Sequence, residues 1–505
     1  MARAEVAADG GLRMGTPRAR WVLLTTVLGS SLAMLDATVV NVALERIGTD
    51  LDAGFSDLQW TVNAYTLTLA SLILMGGSLG DRFGRRRVFL IGVVWFAVAS
   101  LLCGLAPDVG TLIAARALQG VGGALLTPGS LAIISASFHG SDRAAAVGAW
   151  SGLGGVAGAV GPFVGGWLVQ WNWRTVFLLN LPLAAVVVAV AVRYVPESRN
   201  PQAASRLDWP GTLLVVVGLG CLTYALTAAG EPGRGPAVLV WGAAGVVALA
   251  AFAVVQRRST HPLVPPALFA SGQFSAANVV TLLVYAALGV VFVLLVLHLQ
   301  IVAGFTPLLA GTALLPVTVL MLLFSSRVGA LAQRIGPRPL LTAGPLVAAG
   351  GVLLMLRIGP DASYVVDVLP AATVFGAGLT LLVAPLTATV LDSAADRYAG
   401  IASGVNNAVA RAAGLLAVAV VPVAAGLGGS DYTDPAAFGA GFRTAVLICA
   451  GLLVAGALVA AVLVRRPLDA GEAEPAPRLA LERCAHCGVT GPQVHPRQPA
   501  AEASR

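Results

Sequence analysis

A chain of 505 residues that is 57% hydrophobic and only 11% charged leaves little for a soluble domain, because such domains carry about 25% charged residues. The net charge of +7 would suit a nucleic-acid partner, but its distribution argues against one. Every basic side chain is Arg, Lys is absent, and the arginines gather in alternate loops.

Fourteen stretches approach or exceed the roughly 20 apolar residues that one membrane-spanning helix needs. In chain order they are residues 21–44, 58–79, 88–106, 111–135, 145–169, 176–195, 210–229, 236–256, 274–299, 307–328, 340–357, 364–390, 401–427 and 438–464. Arginines flank one side, at Arg13, Arg18 and Arg20, at Arg82 to Arg87, at Arg257 and Arg258, at Arg334 and Arg338, and at Arg465 and Arg466. The other loops hold Asp50, Asp52, Asp57, Asp108, Asp361, Asp431 and Asp434. This positive-inside asymmetry puts both termini in the cytoplasm and requires an even number of spans. The first stretch follows an arginine-rich start, as a signal peptide would. It is too long, contains Asp36 and is followed by no small-residue cleavage site, so it reads as a retained helix.

The longest internal cytoplasmic breaks, at 196–209 and 257–273, bracket two spans and separate six from six. The expected organisation is a cytoplasmic N-terminal tail (1–20), a six-helix bundle (21–195), a linker with two inserted spans (196–273), a second six-helix bundle (274–464) and a disordered cytoplasmic tail (465–505). The basic turn Gln333 to Arg338 echoes Asp81 to Arg87, a partial internal repeat of the kind transporters use. The five cysteines, three in apolar runs and two in the tail, imply no disulfide framework.

Four motifs carry chemistry. Leu35 to Leu44 closes the first span and contains Asp36. Burial raises a carboxylate pKa and a nearby cation lowers it, which makes Asp36 a candidate proton carrier; the alternative is a structural, hydrogen-bonded Asp. Gly77 to Arg87 links spans two and three, with Asp81, Arg82, Arg85 and Arg86 around Gly84. Gly84 permits a tight turn, and Asp81 could lie at a neighbouring helix N-terminus, where the macrodipole favours an anion; the alternative is a solvated, topogenic loop. Arg116 is the one charge in the fourth span, where a charge costs about 2.5–3.5 kcal/mol; the alternative is an arginine snorkelling outward. Gly148 with Gly161, Pro162, Gly165 and Gly166 marks the fifth span as a helix that can bend and pack closely; ordinary small-residue packing is the alternative. Counted from the predicted span ends, Asp36 lies eight residues and Arg116 five residues inside the outer surface, roughly 12 and 8 Å at 1.5 Å per residue. Near-equal depth would let them pair.

These motifs, in this order and on these helices, resemble the major facilitator superfamily. Leu35 to Leu44 and the fourteen spans resemble its fourteen-span drug:proton antiporter family. Further matches are Trp171 to Arg174 with Asn180 to Pro182, Leu207 to Gly211, Gly304 to Pro307, and Asn406, Asn407, Arg411 and Gly414 in the thirteenth span. Departures are Ala157 where the family usually has Gly, Glu45 where it often has Pro, and no counterpart of Asp81 in the second half. The resemblance implies that spans one and four line a central cavity, and that Asn406, Asn407 and Arg411 face it from the second half.

The expectation is an all-α, polytopic membrane protein of fourteen transmembrane helices, two six-helix bundles joined by an inserted hairpin. It would be a monomer in the plasma membrane, not an enzyme, exporting lipophilic small molecules of the multidrug or antibiotic type in exchange for protons. Asp36 would exchange the proton, Arg116 would tune it, and Asp81 to Arg87 would latch the cytoplasmic side. No cofactor, metal or nucleic-acid partner is expected. Alternatives are a dedicated exporter of one endogenous metabolite, a polytopic membrane enzyme, and a metal-sensing membrane protein. The enzyme lacks an intramembrane His/Asp/Glu cluster in the sequence. The sensor would use Cys484, His486, Cys487 and His495, whose spacing is not that of a standard finger. His298 and Gln300 read as a polar cap at the outer end of span nine.

Overall fold

The computed structural model describes residues 12–199, 207–231, 233–259, 262–394, 399–428 and 434–464. The cysteine and histidine cluster of the tail lies outside them, as do most of residues 1–20 and all of 465–505. Sixteen helices follow one another: α1 (Pro17–Asp50), α2 (Phe55–Phe83), α3 (Arg85–Gly104), α4 (Val109–Ser137), α5 (Gly140–Val169), α6 (Arg174–Leu178), α7 (Asn180–Tyr194), α8 (Trp209–Ala228), α9 (Gly235–Arg258), α10 (Gly272–Ile301), α11 (Pro307–Thr312), α12 (Leu315–Ile335), α13 (Pro337–Leu354), α14 (Leu369–Asp392), α15 (Ala399–Ala424) and α16 (Pro435–Leu463). Thirteen helical segments among the described residues are long and apolar enough to cross a membrane. Large apolar side chains face outward without protein cover, Leu239 at 75% and Val462 at 74% exposure among them. A water-facing surface of that kind would be costly; a lipid-facing one is not.

Local chemistry sets the helix starts. Thr16 caps α1 by accepting from the Ala19 N–H, with Pro17 at the first helical position. Asp108 caps α4 through the N–H and hydroxyl of Thr111. Asp208 caps α8, and Gln256 near the end of α9 donates to the same carboxylate at 2.5 Å, tying those two helices together. Five prolines stand inside helices, at Pro128, Pro162, Pro345, Pro385 and Pro422. Membrane helices tolerate them because neighbouring groups satisfy the freed carbonyls.

The packing pattern recurs along the chain. Helix α4 lies against α2 and α3 and α1 against α5, while α14 lies against α12 and α13 and α10 against α15. The two sets meet where α2 packs on α15, α5 on α11 and α12, and α1 on α10. Helices α8 and α9 pack on each other, and α8 touches α2 and α15.

All fourteen predicted stretches fall on helix. One boundary matters for the site: α1 runs six residues past the predicted end at Leu44, to Asp50. Ile47 and Gly48 are buried against neighbouring helices, and Asp50 accepts a hydrogen bond from Trp173 Nε1 at 3.0 Å. The near-equal-depth argument therefore fails as arithmetic. Asp36 lies fourteen residues before its helix end, and Arg116 seven after the start of its own. The end of α1 is thus set by packing beyond its apolar run.

Candidate functional site

Asp36 on α1 and Arg116 on α4 are 2% and 1% exposed and form a direct ion pair through Arg116 Nη1 and Asp36 Oδ2. Neither is left with only that bond. Asp36 Oδ1 accepts from Gln119 Nε2 at 2.7 Å and from Asn180 Nδ2 at 3.0 Å. Ser100 Oγ accepts from the same two amides, at 2.7 and 3.2 Å. Arg116 Nε donates to the Thr61 carbonyl at 3.0 Å, and Nη1 also donates to Gln119 Oε1 at 2.5 Å. The guanidinium lies over the Tyr65 ring, 4.4 Å from its centroid, with Phe177 on another side at 5.8 Å. Tyr65 in turn donates to the Ala33 carbonyl on α1. Five helices, α1, α2, α3, α4 and α7, thus share one hydrogen-bond network around this carboxylate. Removing one partner of a buried pair leaves an uncompensated charge, which costs about 3–5 kcal/mol.

The predicted pair is therefore in contact. Its companions Gln119, Asn180 and Ser100 were not anticipated as site residues. Gln119 could have been found, since it lies one turn after Arg116 on the same helix face. Ser100 on α3 carried no sequence signal.

Asp81, in the last turn of α2, pairs with Arg85 four residues on, at 2.8 Å. The anion at the start of α3 is Glu197, from the segment after α7, which accepts from the Arg86 N–H at 3.1 Å. Glu197 also lies 3.7 Å from Arg87 Nε and 4.0 Å from Arg86 Nε. The Arg85 N–H donates to the Ser198 carbonyl and Arg86 Nη1 to the Val195 carbonyl. Arg85 also reaches the Ala132 carbonyl on α4. Gly84 adopts φ +115°, where side chains are strained, and a methyl there would come within 2.8 Å of Glu197 Cδ. Arg82 is exposed and stacks on Phe83. Gly77 faces Pro128 on α4. Glu197 thus supplies an anion at the start of α3 that the sequence did not announce.

The glycines of α5 form a seam. A methyl at Gly165 would come within 2.7 Å of Val39 on α1, and one at Gly166 within 2.6 Å of Leu308 Cα on α11. Gly161 opposes Thr38, and Gly311 on α11 opposes the Pro162 carbonyl. Gly148 lies in the N-terminal half of the same helix.

In the second half, Asn406 donates to Asn278 Oδ1 at 3.2 Å and Thr281 Oγ1 at 2.7 Å on α10. Arg411 Nε donates to Asn407 Oδ1 at 3.1 Å. His298 and Gln300 are not a polar cap. His298 is 2% exposed, stacks 3.9 Å from Phe442, and its Nε2 meets the Ile358 carbonyl. Gln300 reaches the Val42 carbonyl on α1.

The Major Facilitator Superfamily profile matches residues 26–418. Puromycin resistance protein pur8 of Streptomyces alboniger is 36% identical over 470 residues, covering 90% of this chain and 93% of the relative. Multidrug resistance protein Stp of Mycobacterium tuberculosis is 36% identical over 391 residues, covering 76% of this chain and 72% of its own. Among solved structures, peptide transporter POT in complex with sulfate superposes with a TM-score of 0.66 at 15% identity, covering 90% of this chain and 96% of that one. The chain belongs to the Major Facilitator Superfamily and is a multi-pass membrane transporter of that fold.

Proposed function

We propose that this transporter exports lipophilic small molecules from the cell in exchange for protons, by alternating access, with Asp36 as the proton site. The observation that carries this reading is the completeness of the network around one buried carboxylate. Protonating Asp36 would remove its charge and its bond from Arg116. The guanidinium would still have the Thr61 carbonyl, Gln119 Oε1 and the Tyr65 face. On protonation the guanidinium would keep these neutral partners and lose its counter-charge, so the pull of Arg116 favours release of the proton again. Both relatives are named for resistance to toxic compounds, which supports export over uptake.

The architecture we infer has fourteen spans in a plasma membrane, with α5 completing the set, both termini cytoplasmic, and the chain working as a monomer. Residues 21–195 and 274–464 would rock as two six-helix bundles, with α8 and α9 an inserted hairpin beside them. The α1–α5–α11 seam would be the contact that opens and closes on one side, and the Glu197-bound turn at Gly84 the latch on the other. A second reading, export of one metabolite only, is favoured by pur8 being named for a single compound.

The test is transport in proteoliposomes under an imposed pH gradient. Asp36→Asn should stop gradient-driven export of every compound the wild type moves, and Asp36→Glu should retain part of it. Normal export by the Asn variant would put the proton elsewhere, with Glu45 and Asp392 next in line.

A further inference from the structure

Among the described residues, Arg116 and Arg411 lie deep in this helical array, and of the two Arg116 alone pairs with a carboxylate. Arg411 stands near the middle of α15, twelve residues into a helix of 26. It is half-buried. Its Nε donates to Asn407 Oδ1, and no carboxylate among the described residues comes within ion-pair distance. An uncompensated cation at that depth is expensive and marks a functional site by default. Gly414, one turn on, lies against the Tyr285 carbonyl of α10, and α15 also packs on α2 across the junction of the two halves.

A second observation points to the same level. Gln59 Nε2 donates to the Val418 carbonyl at 2.8 Å, and Gly404 opposes Leu74. These two contacts fix an antiparallel register of α2 on α15. The register sets Asn63 across from Gly414, one turn of α15 beyond Arg411. Asn63 is 1% exposed, and neither its amide nitrogen nor its oxygen has a hydrogen-bond partner. A buried amide with both groups unpaired is rare in folded proteins. An unpaired cation and an unsatisfied amide thus share one level of the α2–α15 contact.

We propose that Arg411, with Asn407 and Asn63, binds the anionic head of the transported compound, so that the preferred cargo is a lipophilic carboxylate rather than a lipophilic cation. This rests on the exporter reading above and deepens it. While Asp36 is ionised, the Asp36–Arg116 pair is neutral as a unit and offers no competing anion site. A guanidinium grips a carboxylate by two parallel hydrogen bonds. Asn63 would supply the donor for a remaining carboxylate lone pair, and the apolar body would lie along α2 and α10.

The experiment is equilibrium binding to the purified full chain in a neutral detergent, using 1-pyrenebutyrate, its methyl ester and 1-pyrenemethylammonium. Binding needs no proton gradient, so it can succeed even if proton-coupled export fails. The acid should bind about tenfold or more tightly than the ester, and the ammonium most weakly. Arg411→Gln should erase the preference for the acid while leaving ester affinity within about twofold. Arg411→Lys should keep part of it, because the charge remains and the planar fork is lost. Equal affinities for acid and ester in the wild type would overturn the proposal whether or not any variant folds. An acid preference that survives Arg411→Gln would overturn it as well.

Discussion

The two polar centres of this protein differ in how completely they are satisfied. In the first half, Asp36 and Arg116 are almost fully buried, and Gln119, Asn180 and the Thr61 carbonyl hold them. In the second, Arg411 is half-buried, bonded to the Asn407 amide, and without a carboxylate among the described residues. A closed network suits a group that must gain and lose a proton in place. An open one suits a group whose partner arrives and leaves. On the reading proposed above, the difference would give coupling to one half and cargo recognition to the other, although both use arginine.

Stability provides the largest expected separation between them. Arg116→Gln leaves the Asp36 carboxylate buried without its cation and should cost about 3–5 kcal/mol. Asp36→Asn/Arg116→Gln removes both charges and should recover most of that loss without restoring transport. Arg411→Gln strands no carboxylate and should change stability by less than about 1 kcal/mol. Thermal unfolding in detergent reads all three. If Arg411→Gln proved as damaging as Arg116→Gln, the second centre would be structural, and the contrast would collapse.

How much of this was legible in the sequence depends on the length scale of each cause. Arg116 and Asp36 stood out because a charge in an apolar run has few inexpensive explanations. Their pairing was inferred from counted depth, and the count was wrong while the contact was right; α1 extends beyond its apolar run to reach Trp173. Glu197 was invisible because its partner turn lies more than a hundred residues earlier, and nothing local announces a helix start on another strand of the fold. Ser100, Asn180 and Asn63 look like ordinary small polar residues until the helices are assembled. Single-sequence patterns give faces and spans, but the neighbours of a face are tertiary facts.

An intermediate effect tests the same contrast between halves at the basic turns. Gly84 and Gly336 occupy equivalent places, with φ +115° and +80°. A side chain at either position costs about 1–3 kcal/mol in backbone strain. Gly84 lies against the Glu197 carboxylate, so Gly84→Val should also displace Glu197 from the start of α3. Transport should fall further in Gly84→Val than in Gly336→Val, with membrane insertion of both retained. Equal losses would show that strain alone matters and that the Glu197 contact is incidental.

The smallest effect concerns the other carboxylate bound to α4. Asp108 caps the start of the helix that carries Arg116, and it is fully exposed. The Thr111 N–H, and then the Thr111 hydroxyl, hold its carboxyl below the usual carboxylate range. A lowered folded-state pKa contributes stability above the unfolded value and loses it as pH falls through the folded value. The cap should therefore strengthen α4 at neutral pH and weaken only in acid. Asn is nearly as good a cap and cannot titrate. Asp108→Asn should leave transport unchanged, with a slightly lower unfolding midpoint at pH 7 and none of the wild type's acid-side loss from this group. Loss of transport in Asp108→Asn would mean that the surface carboxylate of α4 shares in coupling. The assignment of that role to the buried Asp36 alone would then be wrong.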